Sequence, residues 1–177
     1  MIFISAGHHL KDPGAVANGV QENLLTIDLR NLVTQSLTKL GAKYIIDKDT
    51  ETLAQYLGRI KSGTGSVICE LHFNAGSSKA EGMEVLIPER NTEEERSLGA
   101  AICDAGHATM GLRYRGVFDE TKSHRKRLGL MRKEGINVLV EVCFITNKSD
   151  LEKYEGGKTQ FAQKLAELLK KYDDMKQ

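Results

Sequence analysis

Apolar positions along the chain fall into two alternating rhythms. Ile2-Phe3-Ile4 is a short continuous run that stops at Ala6-Gly7, the pattern of a buried strand ending in a loop. That loop extends to about Gln21 and contains Asp12-Pro13-Gly14 and Asn18-Gly19, both turn signals. Leu24, Ile27, Leu29, Leu32, Val33, Leu37 and Leu40 then recur at helical spacing, and Gly41 supplies a stop. Tyr44-Ile45-Ile46 predicts a strand. Leu53, Tyr56, Leu57 and Ile60 predict a second helix, ended by Ser62-Gly63. Two further strands are expected from Val67 to Phe73 and from Met83 to Ile87. Thr92 followed by three glutamates predicts a cap and an acidic first turn, which suits the positive end of a helix running to about Met110. A basic, loop-rich stretch follows, with a short strand expected over Leu128 to Met131. Ile136 to Phe144 is a strong strand. Asn147 or Ser149 opens a short helix, and Phe161, Leu165, Leu168 and Leu169 mark a last one. Strands alternating with helices predict an α/β fold: a twisted, mostly parallel sheet of about five to six strands flanked by helices on both faces.

Composition narrows the class. With 177 residues, 40% hydrophobic and 28% charged, the chain can bury a real core and is not of disordered type. No repeat or Pro/Ser-rich linker divides it, so residues 1–177 read as one domain. The net charge of +1 gives no global attraction to nucleic acid, and there is no aromatic stacking array. No apolar run approaches the ~18 residues of a membrane span, and the N-terminus lacks the pattern of a signal peptide. Cys69, Cys103 and Cys143 are odd in number and form no Cys-x-x-Cys pair, so buried thiols are expected rather than a disulfide framework.

Chemistry-bearing residues gather at predicted strand ends. His8 follows the first strand, His72 closes the third, Glu141 lies in the last strong one, and Glu22 opens the first helix. Ligands in open α/β sheets collect at the carboxyl ends of the strands. Two imidazoles and a carboxylate suit a catalytic zinc ion, with a further carboxylate free to take a proton from water. On chemistry alone His9 and His124 are equal candidates. Glu70 shares strand parity with His72 and lies about 7 Å deeper. It is expected either to orient a histidine ligand, His8 or another group just below the metal, or to pair with a Lys or Arg. Cys143 shares parity with Glu141, which puts its thiol on the same side of the sheet. The stretch from Arg113 to Lys133 is rich in Arg and Lys; it reads either as a solvated basic loop or as a surface for a substrate with carboxylates.

Four motifs, in order, resemble one family. They are Gly7-His8-His9 with Asp12-Pro13-Gly14, Glu22, His72-Phe73-Asn74-Ala75 with Gly82-Met83-Glu84-Val85, and Leu139-Val140-Glu141 leading to Phe144 and Asn147. The chain resembles the zinc-dependent N-acetylmuramoyl-L-alanine amidases of autolysins and phage endolysins, over nearly its whole length. The resemblance implies one Zn2+ per chain held by His8, Glu22 and His72, with Glu141 as the catalytic carboxylate. Glu70, Asn74 and Arg115 would support the ligands or bind substrate. The implied substrate is peptidoglycan, cut between the muramic acid lactyl group and L-alanine. The oligomeric state is open, with a monomer favoured, and no stable membrane insertion is expected; the missing signal-peptide pattern implies a protein made in the cytoplasm and reaching the wall through phage-type or lytic release. The alternatives are a non-catalytic wall-binding or regulatory domain and a zinc peptidase of the stem peptide. Cys143 stands where the family usually has glycine.

Overall fold

The computed structural model describes residues 1–175. In chain order the elements are β1 (Ile2–Ala6), β2 (Val16–Ala17), β3 (Val20–Gln21), α1 (Glu22–Lys39), β4 (Tyr44–Ile46), α2 (Leu53–Arg59), β5 (Val67–Asn74), β6 (Met83–Ile87), α3 (Glu93–Met110), β7 (Tyr114–Asp119), β8 (Ile136–Phe144) and α4 (Lys148–Asp174). Six strands form one sheet in the order β4-β1-β5-β8-β6-β7. All neighbours run parallel except β6 and β8, which are antiparallel. The three strands that carry or precede His8, His72 and Glu141 are therefore adjacent and point the same way.

Both faces are covered, but unequally. The side chains of Ile4, Cys69, Leu71, Val85, Val138 and Val140 meet α1, α3 and α4 in the larger core. The opposite face carries Phe3, Ile68, Leu86 and Leu139. It is covered by Tyr56, Leu57 and Ile60, in and just after the seven-residue α2, and by Leu128, Leu130 and Met131. Period-two alternation along each strand makes this split. The thinly covered face is the one onto which Glu70, His72 and Glu141 project.

Local chemistry explains the boundaries. Thr92 caps α3 in a capping box with Glu95, and Gly111 ends it in the left-handed conformation at φ 67°. Asn18 and Gly19, at φ 51° and 80°, turn the β2–β3 hairpin, a small element within the expected loop. Three expectations need correction. The strand expected at Leu128 to Met131 is instead a 3₁₀ turn over Leu130–Arg132. The region after Met110 contains β7, whose edge position tolerates its Arg and Gly residues. The two C-terminal helices are one helix of 27 residues. Its Gly156-Gly157 pair does not break it, because Gly157 lies against Thr109 and Met110 of α3.

Among the described residues no helix is long and apolar enough to cross a membrane.

Candidate metal centre

Sheet register sets out the site in rows. His72 on β5 lies beside Glu141 on β8, which lies beside Glu84 on β6. One layer deeper, Ser5, Glu70, Leu139 and Leu86 form the next row. Over the top row the loop after β1 brings His8, and the first residue of α1 brings Glu22. Two glycines permit this approach. A Cβ on Gly7 would lie 2.5 Å from the His72 ring, and one on Gly14 would lie 2.5 Å from His8 and 2.6 Å from Glu22. His8 itself has φ 67°. For a non-glycine residue that conformation is strained by about 1–3 kcal/mol, and such strain concentrates at functional sites.

Glu22 is the hub. Its Oε1 lies 2.9 Å from His72 Nδ1, and its Oε2 lies 3.1 Å from His8 Nε2. One donor atom from each of His8, Glu22 and His72 lies within 4.8 Å of the others. The outward nitrogens also face carboxylates. Asp12 Oδ2 is 2.9 Å from His8 Nδ1, and Glu70 Oε1 is 3.7 Å from His72 Nε2. The second is an ion-pair contact rather than a hydrogen bond. Burial alone would raise the Glu22 carboxyl, but its hydrogen bonds with His72 and His8 hold it well below the usual carboxylate range. Burial opposes the charged form of His72, yet Glu22 and Glu70 raise it well above an ordinary imidazole. The hydrogen bond with Glu22 raises His8 too.

Glu141 is different. Burial pushes its carboxyl up to about 7, against the pull of His72. Its Oε2 is buried with no hydrogen-bond partner among the described residues. A carboxylate beside the cluster but outside it, poised near neutrality, is placed to accept and return a proton.

Glu70 faces His72 rather than His8, and no Lys or Arg lies within ion-pair distance of it among the described residues. Asn74 lines the cavity above the cluster and donates to Glu84 at 2.9 Å. Arg115 does not line that cavity: it is paired with Glu84 and stacked over Phe144, with 4.9 Å to the ring centroid. His9 and His124 are not in the cluster. Cys143 does not share a face with Glu141, contrary to its parity. The β5–β8 register slips between His72 and Asn74, so one extra β8 residue is accommodated. Cys143 then joins Val142 in the helix-side core. All three cysteines are free and buried. In the sequence Asp12 carries a turn signal, and the structure adds its contact with His8. Its position four residues after His8 was the available signal.

A mixed sheet of this topology, with a two-histidine, one-glutamate cluster at the strand ends, has the form of a metal-dependent hydrolase. Residues 2–171 match the family described as N-acetylmuramoyl-L-alanine amidase, and the chain belongs to that family of peptidoglycan amidases. It is similar to the uncharacterized protein YqiI of Bacillus subtilis (strain 168), with 28% identity over 172 residues, covering 95% of this chain and 80% of YqiI. It is also similar to N-acetylmuramoyl-L-alanine amidase LytC of the same organism, with 29% identity over 157 residues. That match covers 86% of this chain but only 31% of LytC. Among solved structures, N-acetylmuramoyl-L-alanine amidase AmiC2 of Nostoc punctiforme superimposes with a TM-score of 0.80 at 18% identity, covering 97% of this chain and 95% of that one.

Proposed function

We propose that the chain hydrolyses the amide bond between the lactyl group of N-acetylmuramic acid and L-alanine of the stem peptide, with one zinc ion held by His8, Glu22 and His72. The observation that carries this reading is the meeting of three donor atoms within 4.8 Å. The donor set fits zinc, since two imidazole nitrogens and a carboxylate oxygen are its usual ligands in a hydrolytic site. Asp12 and Glu70 stand behind the two rings, where such partners fix tautomer and orientation. When bound there, zinc supplies Lewis acidity, which makes water more acidic and polarises a carbonyl.

The chain's own groups do the rest. Glu141 takes a proton from the attacking water and returns it to the departing alanine nitrogen. Its elevated proton affinity suits both halves of that task. Asn74, fixed by Glu84, borders the cavity where the substrate carbonyl would enter. The strand rows hold these groups on a sheet rather than on a free loop, so their spacing is preset.

The test is product analysis of digested peptidoglycan, with and without a strong chelator. Expected products are free muramic lactyl groups and intact stem peptides with a new alanine amino terminus, and both should vanish on chelation. Cleavage within the stem peptide, or full activity in chelator, would overturn the proposal.

A further inference from the structure

The cavity above the cluster has a volume of about 350 Å³, and one of its walls is made by the segment after β7. That wall carries Arg125 and Arg127. Both are exposed, and neither has an ion-pair partner among the described residues. The cavity floor holds Glu70 and Glu141, yet the two arginines pair with neither. They are cations facing a substrate cavity with their hydrogen-bonding capacity unused.

The segment is built rather than loose. Glu120 is 1% exposed. One of its carboxylate oxygens accepts from the Leu128 backbone N–H at 2.6 Å, and the other pairs with Arg132. Between the arginines the chain reverses tightly: Arg127 N–H donates to the Arg125 carbonyl at 2.7 Å. The intervening Lys126 sits at φ 57°. A lysine in that conformation is strained, and the two flanking arginines line the same cavity.

The geometry points to Arg125 and Arg127 as specificity residues that bind a carboxylate of the stem peptide one residue beyond the scissile alanine. This rests on the amidase reading proposed above. In a stem peptide the glutamate after alanine continues through its side-chain carboxyl. Its α-carboxyl therefore stands free of the chain, as acid or amide according to the wall. That group lies roughly 6–7 Å beyond the scissile nitrogen, from about 3.3–3.6 Å per residue, a span that suits a cavity of this size. Guanidinium groups recognise carboxylates through paired, charge-assisted hydrogen bonds, and a carboxamide cannot reproduce them.

The experiment uses two soluble muramoyl-peptides that differ only in carboxylate or carboxamide at the second residue. Binding is measured by calorimetry on the Glu141→Gln protein, and cleavage on the active protein. Both should favour the carboxylate by about 10-fold or more. Arg125→Gln with Arg127→Gln should abolish that preference by weakening only the carboxylate substrate. Lys122→Gln, on the same segment but outside the cavity lining, should leave the preference intact. Equal binding and cleavage of the two ligands, or an equal loss on both in the double variant, would overturn the inference while leaving the amidase reading standing. A binding preference without lactyl-amide cleavage would overturn the amidase reading and keep the arginines as a carboxylate site. Neither binding nor cleavage would overturn both.

Discussion

Glu141 and His72 sit side by side on neighbouring strands but face different tasks. Glu141→Gln removes the proton acceptor and leaves the three donor atoms in place. The expected result is zinc retained at one per chain with hydrolysis reduced at least 10³-fold, an order of magnitude typical when a site's essential group is lost. His72→Ala removes a proposed ligand and should release the metal. Metal analysis beside rate measurement separates the two, and reversed outcomes would exchange the assigned roles. Glu70 offers a finer test. With His72 as its one ion-pair partner among the described residues, Glu70→Gln should weaken zinc affinity or turnover by about 10–100-fold without loss of fold. Unchanged affinity and rate would remove Glu70 from the site. At this scale the sequence was informative wherever a residue's position depends on its immediate neighbours: His8 after a strand, Glu22 at a helix start, His72 at a strand end. It failed at Cys143, because the bulge that turns the thiol away depends on the partner strand's register.

Elements were readable where period and punctuation agreed, as for α1, α3, β5 and β8. They were missed where the signal lay in tertiary contacts. β7 carries Arg115 and Gly116 in its middle and shows no apolar run. It forms because β6 supplies its hydrogen bonds. The long α4 crosses Gly156-Gly157, a pair that reads as a break. The structure gives the two glycines opposite roles. A Cβ on Gly157 would lie 2.4 Å from the Thr109 carbonyl, whereas one on Gly156 would meet nothing within 4 Å. Gly157→Ala should therefore destabilise the protein by about 1–3 kcal/mol through overpacking at the α3–α4 contact. Gly156→Ala should stabilise it by about 0.5–1 kcal/mol, because alanine restricts the unfolded chain and favours helix. Denaturant titration of the pair decides the matter, and equal shifts would contradict the contact.

At the scale of the whole molecule, metal and fold should be linked. If His8, Glu22 and His72 hold the proposed ion, it is a clasp between the β1 loop, the start of α1 and the end of β5. Binding to the native state alone raises stability by about 4 kcal/mol at a thousandfold excess over Kd. Chelation should therefore lower the melting temperature by several degrees in the wild-type protein and leave His8→Ala unmoved. A melting temperature indifferent to chelator would separate the cluster from metal. The α/β class and the mostly parallel sheet were visible in the alternation of apolar rhythms. The antiparallel β6–β8 pairing was not, since strand direction inside a sheet leaves no mark on residue pattern.

The unequal covering of the two sheet faces divides the labour of the molecule. Three long helices weld one face into the part that must melt for the protein to unfold. The other face is roofed by a seven-residue helix and the segment from Glu120 to Lys133, which contribute few side chains to any core. Glu120 ties the segment to itself through Leu128 and Arg132, so its local opening is expected to cost more than that of a free loop but less than unfolding of the helix-covered face. Amides of β5, β8 and α4 should exchange with solvent only through global unfolding, and those of the roof through cheaper local openings. The same asymmetry makes the roof replaceable. Its residues can be rewritten to admit a different wall polymer while the welded face goes on holding the fold.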